Sequence, residues 1–171
     1  MLAHSIVIGG VEIGLSLAKN LDQTYEPVDG GRSLRRKLSG AGHLQIAWNK
    51  WRTVISGQGR VPPGLDGLDY SVSQSVFCCA PRAIRSAGTA VTLPAARRTD
   101  FPPKAFAVVT DRLIQTGYSL AGDAATLTAV AGASEYITAY YPVMTLYLTP
   151  PRTRFDARGM VQGWELIGEE V

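Results

Sequence analysis

Charge, histidine and cysteine are all scarce in this sequence, and each shortage removes a class of function. Charged residues make up 18% of the 171, below the quarter typical of globular domains. A chain with so little charge either packs very compactly or covers part of its surface with neighbours, and neighbours are expected here. The two histidines are His4 and His43. Neither sits in a nucleophile elbow or in a His-Glu-x-x-His zinc motif. The two cysteines, Cys78 and Cys79, are adjacent. Successive residues of a strand point to opposite faces, so this pair gives neither a disulfide framework nor a metal-ligand spacing. One of them is expected to pack inward as a small hydrophobe. No apolar run reaches the ~18 residues that a membrane-crossing helix needs. The stretch from Met1 to Lys19 is apolar but contains Glu12 and no basic leader region, so it does not read as a signal peptide.

What is present is apolar and frequently punctuated. Hydrophobic residues reach 46%, enough for a packed core, and 18 glycines with 10 prolines favour short strands and turns over long helices. The net charge is +3, with nine of the 17 basic residues in three short groups. These are Arg32, Arg35, Arg36 and Lys37; Arg97 and Arg98; and Arg152, Arg154 and Arg158. Each group lies beside Gly, Pro or Ser and reads as a solvated loop, or as one side of ion pairs across a subunit interface. Nucleic-acid binders concentrate more positive charge on one face, so no specific nucleic-acid binding is expected.

Residues 5–21 place Gly9-Gly10 between Ile6-Val7-Ile8 and Val11-Glu12-Ile13, the pattern of a short hairpin or an extended arm. Residues 20–42 are polar, basic and without a period, and read as a long loop. From His43 onward Leu44, Ile46 and Trp48 alternate with Gln45, Ala47 and Asn49, and Trp51, Thr53 and Ile55 alternate with Lys50, Arg52 and Val54. That period of two predicts one long strand, or a hairpin turning at Asn49-Lys50. A shaped loop, Gly57 to Asp69, follows. Further strands are expected at 70–79, 89–93, 105–109, 113–120, 124–130, 136–149 and near the end at 160–171, with Ala121-Gly122-Asp123 as a hairpin turn. The fold class is therefore mainly β, an antiparallel β-sandwich or open barrel with an extended N-terminal arm and loops. The domain reading is an arm and long loop at 1–42 and a β-sandwich at 43–171.

A search for catalytic chemistry finds no set to build on. Asp66 and Asp69 are too few for a calcium site, and their carboxylates are expected to fold back onto nearby backbone N–H groups. Gly57-Gln58-Gly59 lacks the helix and Lys-Ser/Thr of a phosphate cradle. Glu135 beside Tyr136, Tyr140 and Tyr141 is the sole passing candidate for sugar chemistry. No cofactor, no metal and no enzymatic activity are expected.

The stretch Trp51-Arg52-Thr53-Val54-Ile55-Ser56-Gly57-Gln58-Gly59-Arg60-Val61-Pro62-Pro63-Gly64-Leu65-Asp66-Gly67-Leu68-Asp69-Tyr70 resembles tail proteins of long-tailed bacteriophages with non-contractile tails. Cys78-Cys79-Ala80-Pro81-Arg82 and the closing Trp164-Glu165-Leu166-Ile167-Gly168-Glu169-Glu170-Val171 add to the likeness, which covers most of the chain after Gly42. Within that group the chain is most similar to distal tail or minor tail proteins. The resemblance implies a virion subunit, assembled in the host cytoplasm, that forms a hexameric ring between the tail tube and the tip or baseplate hub. Its implied partners are sister copies, the tube protein, the hub proteins and the tape-measure protein. The N-terminal arm is less typical of the family, which leaves a tube or tail-completion subunit open. The interface residues expected from this reading are Arg35, Arg36, Pro62, Pro63, Leu65 and Leu68, with the alternative that Leu65 and Leu68 plug their own core. A second class of function is a carbohydrate-binding sandwich module of a receptor-binding tail component, using Tyr136, Tyr140, Tyr141, Trp48 and Trp51 as stacking platforms. A hydrolase at the tail tip is a third.

Overall fold

A computed structural model describes residues 5–14, 18–157 and 161–171. The described residues are mainly β, with 58% strand and 2% helix, in antiparallel sheets that form no closed barrel. The chain divides into two compact units. Unit 1 holds residues 1–76 and 145–171, and unit 2 holds 77–144.

Unit 1 contains an eight-stranded sheet. Its strands are β1 (Ile6–Ile8), β2 (Val11–Ile13), β3 (Lys19–Pro27), β6 (Trp51–Gly59), β7 (Gln74–Phe77), β15 (Val143–Leu148), β16 (Arg152–Asp156) and β17 (Val161–Glu170). Hydrogen-bonded neighbours run in the order β2-β1-β7-β15-β17-β6-β3, with β16 paired to β17 alone. Alternation sets the core face. Thr53 and Ile55 of β6, Trp164 and Leu166 of β17, and Leu146 and Leu148 of β15 are buried while their strand neighbours are less so. Ile6, Ile8, Ile13 and Val76 complete that face. Gly168 lies where an added Cβ would fall 2.7 Å from a Leu148 methyl and 2.9 Å from a Leu146 methyl, so a side chain there must displace them. Gln23 donates to Thr53 Oγ1 at 3.0 Å and Thr53 donates to the Thr24 carbonyl at 2.8 Å, which satisfies a buried polar pair.

Two expectations for residues 1–42 are corrected here. This segment is not an arm outside the sheet: β1 and β2 form the expected hairpin at Gly9-Gly10, but Ile6, Ile8 and Ile13 are fully buried. Nor is 20–42 a loop, since it contains β3 and β4 (Arg32–Arg36). The segment from His43, read as one long strand or as a hairpin turning at Asn49-Lys50, is neither. β5 (Gly42–Ile46) pairs with β4 in a separate two-stranded ribbon, while β6 enters the main sheet.

Unit 2 is a small sandwich of two sheets. Strands β8 (Arg82–Ser86), β10 (Lys104–Val109), β11 (Arg112–Thr116) and β14 (Glu135–Tyr140) form one, in the order β11-β10-β14-β8. The other is β12 (Tyr118–Ala121), β13 (Ala124–Leu127) and β9 (Ala90–Thr92), in the order β12-β13-β9. Their inner faces meet in two clusters. One joins Val91, Leu93, Ala125 and Tyr140, and the other Ala105, Ala107, Leu127 and Tyr136. The Ala121–Ala124 turn forms as expected, with Gly122 at φ 61. The β10–β11 turn is less usual, because Thr110 and Asp111 both take positive φ, at 46 and 63, without a glycine.

Arg98, grouped with solvated loops on sequence grounds, is instead 3% exposed. Its guanidinium donates to both Asp100 carboxylate oxygens, at 3.0 and 2.5 Å, and to the carbonyls of Phe77 and Cys78, at 3.2 and 3.1 Å. It also stands 4.0 Å from the Phe101 ring centroid. That hydrogen bond from Arg98 holds the Asp100 carboxyl below the usual carboxylate range. Cys78 is buried, Cys79 is half-buried, and both are free thiols.

Candidate interaction surface

The most unusual feature of unit 1 is the β4–β5 ribbon. Every residue from Arg32 to Asn49 is exposed. The ladder runs from Arg32↔Ile46 to Arg36↔Gly42, and Lys37 to Ala41 closes it with Gly40 at φ 79. At five residues per strand, the paired part reaches about 17 Å. Register sorts its side chains. Arg32, Leu34 and Arg36 share a face with Ile46, Leu44 and Gly42, while Ser33 and Arg35 share the other with Gln45 and His43. Leu34, Leu44 and Ile46 are 63%, 54% and 54% exposed, and Leu38 at the turn is fully exposed. Together they leave an apolar strip open to water.

The root of the ribbon is anchored. Trp48 lies against Gly31, where a Cβ would come within 2.6 Å of the indole. Arg32 donates to Asn49 Oδ1 at 2.9 Å, Val28 N–H to the Lys50 carbonyl at 2.9 Å, and Trp51 N–H to Glu170 Oε2 at 3.1 Å. Lys50 Nζ donates to the Val171 carbonyl. Next to this root, Arg52 of β6 reaches Glu26 on β3 and Glu169 on β17, at 3.3 and 2.6 Å. The Glu169 hydrogen bond, followed by its charge, raises the Arg52 pKa above its ordinary value. The ribbon thus leaves the sheet from a hydrogen-bonded base.

The Pro-Pro-Gly loop is built differently. Gly64 takes φ 77 and leads into a single 3-10 turn, Leu65–Gly67. Leu65 is 1% exposed, and its carbonyl accepts from the Tyr70 hydroxyl at 2.8 Å. Pro63 is buried as well, Leu68 is half-buried against Gly9, and Pro62 is exposed. Of the six residues expected at an interface, Arg35, Arg36 and Pro62 are therefore open, Leu68 is partly open, and Leu65 and Pro63 belong to the core. Asp69 accepts from the Ser71 hydroxyl and backbone N–H at 2.6 and 2.9 Å; these bonds, hydroxyl first, lower its pKa. Asp66 stays exposed, as do Val61 and Val72 at 56% and 49%. Burial, and then the charge of Asp66, raise the Tyr70 phenol.

Elsewhere in unit 1, an open depression of about 330 Å³ is lined by Asn20, Ser56, Gln58, Arg152, Arg154 and Glu165. Gly163 lies in its lining and offers no side chain to fill it. Among the described residues, no three His, Cys, Asp or Glu side chains converge as metal ligands. The sugar-platform candidates separate: Tyr136, Tyr140 and Tyr141 are buried, Glu135 pairs with Arg85 at 3.4 Å, and Trp48 and Trp51 lie at the ribbon root. His43 sits on the ribbon opposite Arg35, and His4 lies outside the described residues. No described helix is long and apolar enough to cross a membrane. Comparison of the chain with protein-family models, with curated proteins and with solved structures finds no match.

Proposed function

We propose that this chain is a non-enzymatic structural subunit of a long non-contractile bacteriophage tail, closing with copies of itself into a ring at the distal end. In this reading the ring is a hexamer that stacks on the tail tube protein and joins the tip or hub proteins around the tape-measure protein. The observation that carries the proposal is the β4–β5 ribbon, whose apolar face has no cover among the described residues. A lone soluble subunit gains nothing from holding Leu34, Leu38, Leu44 and Ile46 in water, whereas a neighbour that covers them gains about 25 cal/mol per Å².

Sheet edges add support. The main sheet ends in β2 on one side and β3 on the other, and β16 pairs along one edge only. Such edges carry unpaired N–H and C=O groups that sister chains can complete in a closed ring. Part of β3 is guarded, since a bulge between Lys19 and Asp22, with Asn20 at φ 58, interrupts its register. The regular segment from Asp22 to Pro27 is left as the pairing edge. The tail assignment itself leans on the sequence resemblance along residues 51–70.

Mass photometry of the purified chain across concentration, with electron microscopy of virions labelled through an antibody, tests the proposal. A closed oligomer and label at the distal tail are expected. A chain that stays monomeric and is missing from purified virions overturns it.

A further inference from the structure

The ribbon's charge is as one-sided as its exposure. Between Gly30 and Asn49 the sequence holds Arg32, Arg35, Arg36 and Lys37 and no acid. Arg32 is engaged with Asn49, and Arg36 donates to the Gly40 carbonyl at 3.1 Å, so both are oriented without being neutralised. The opposite pattern occurs between Val61 and Gln74, which holds Asp66 and Asp69 and no base, with Arg60 just before it. That loop is braced by Pro62-Pro63, the 3-10 turn, and the Asp69–Ser71 and Tyr70–Leu65 hydrogen bonds. It also leaves aliphatic surface open, at Val61, Val72 and the outer part of Leu68.

We infer that the partner of the ribbon is the Val61–Gln74 loop of a second copy of this chain, with the Leu34–Leu44–Ile46 face against Val61, Leu68 and Val72, and Arg36 facing Asp66. Both surfaces are preformed, so little conformational entropy remains to be lost on contact. The charges select orientation and partner, and the aliphatic groups supply the burial. A contact between unlike patches of identical chains is heterologous. It closes when the rotation per copy divides the circle and otherwise grows as a fibre. The inference deepens the ring reading and rests on it for closure alone.

Complementation tests it in the full-length chain. One variant carries a disabled ribbon, Leu34→Glu with Arg36→Glu. A second carries a disabled loop, Asp66→Arg with Val72→Arg. All four positions are exposed, and circular dichroism verifies that each variant folds. Each variant alone is expected to self-associate at least roughly tenfold more weakly than the parent. An equimolar mixture retains one intact ribbon and one intact loop, and is expected to form a one-to-one dimer. Gln45→Ala, an uncharged change on the ribbon's other face, is expected to shift association by less than about threefold. The inference is overturned if both disabled variants assemble as tightly as the parent, if their mixture does not pair, or if the parent is itself monomeric. A parent ring that ignores these substitutions leaves the ring reading standing without this contact. An open parent fibre that either variant dissolves keeps the contact and removes the ring.

Discussion

Replacing Arg98 with methionine tests what a buried cation contributes to unit 2. Methionine keeps most of the side-chain bulk and removes the charge and every donor. The Arg98 side chain is 1% exposed while that of Asp100 is 54% exposed, so the two ends of this ion pair differ. With its carboxylate in water, the pair with Asp100 contributes about 0–1 kcal/mol. The donors to the Phe77 and Cys78 carbonyls are charge-assisted and lie inside, at about 1.5 kcal/mol each, and the guanidinium over Phe101 adds about 1 kcal/mol. Arg98→Met should therefore cost about 4 kcal/mol and Asp100→Asn about 1 kcal/mol, although both break the same ion pair. All three tryptophans, Trp48, Trp51 and Trp164, lie in unit 1, so tryptophan fluorescence does not report on this change. Native-state hydrogen exchange of the β10 and β14 amides reads the loss directly. Equal costs for the two substitutions, or a cost under about 1 kcal/mol for Arg98→Met, would refute the reasoning.

Four further expectations follow from single features. Arg98 holds the Asp100 pKa below its unfolded value, so the carboxylate contributes stability that is present above the unfolded value, near 3.9, and is lost as pH falls through the folded one; thermal melts below about pH 4 should show a shallower decline in Asp100→Asn than in the parent. Thr138 is fully buried and its hydroxyl oxygen has no hydrogen-bond partner, so Thr138→Val should raise stability by about 1 kcal/mol, read as a higher urea midpoint by circular dichroism. Thr110 and Asp111 hold left-handed backbone that Asn-Gly adopts freely, so the pair Thr110→Asn and Asp111→Gly should stabilise by about 1 kcal/mol in the same assay. Gly168→Ala would press a Cβ into Leu146 and Leu148 and should cost about 1–3 kcal/mol, seen in the tryptophan-monitored melt of unit 1.

The fold class was legible because alternation and turn residues are local signals. Thr53 and Ile55 of β6 could be read as strand from spacing alone, and so could the turns at Gly9-Gly10 and Gly122. Sheet neighbours were not legible: β1 beside β7 and β7 beside β15 join residues far apart in the chain, and no short-range pattern encodes such pairing. Arg98 was misread because Arg97-Arg98-Thr99-Asp100 looks like solvent-facing polar sequence. What buries Arg98 is a set of carbonyls from residues 77 and 78 together with the Phe101 ring.

The ribbon yields the more general lesson. Leu44 and Ile46 alternate with their neighbours as regularly as Trp51, Thr53 and Ile55 do, and both runs read alike, as one long strand or as a hairpin turning at Asn49-Lys50. Period two reports that a strand has an apolar face, and is silent about what covers that face. In β6 the cover is the molecule's own sheet, where Thr53 and Ile55 are fully buried. In β5 the same pattern ends in water, with Leu44 and Ile46 each 54% exposed. Identical local sequence logic with opposite burial separates an inward-facing strand from an outward-facing one, and that difference, visible only once the chain is folded, is why the ribbon rather than the core is the place proposed for a partner.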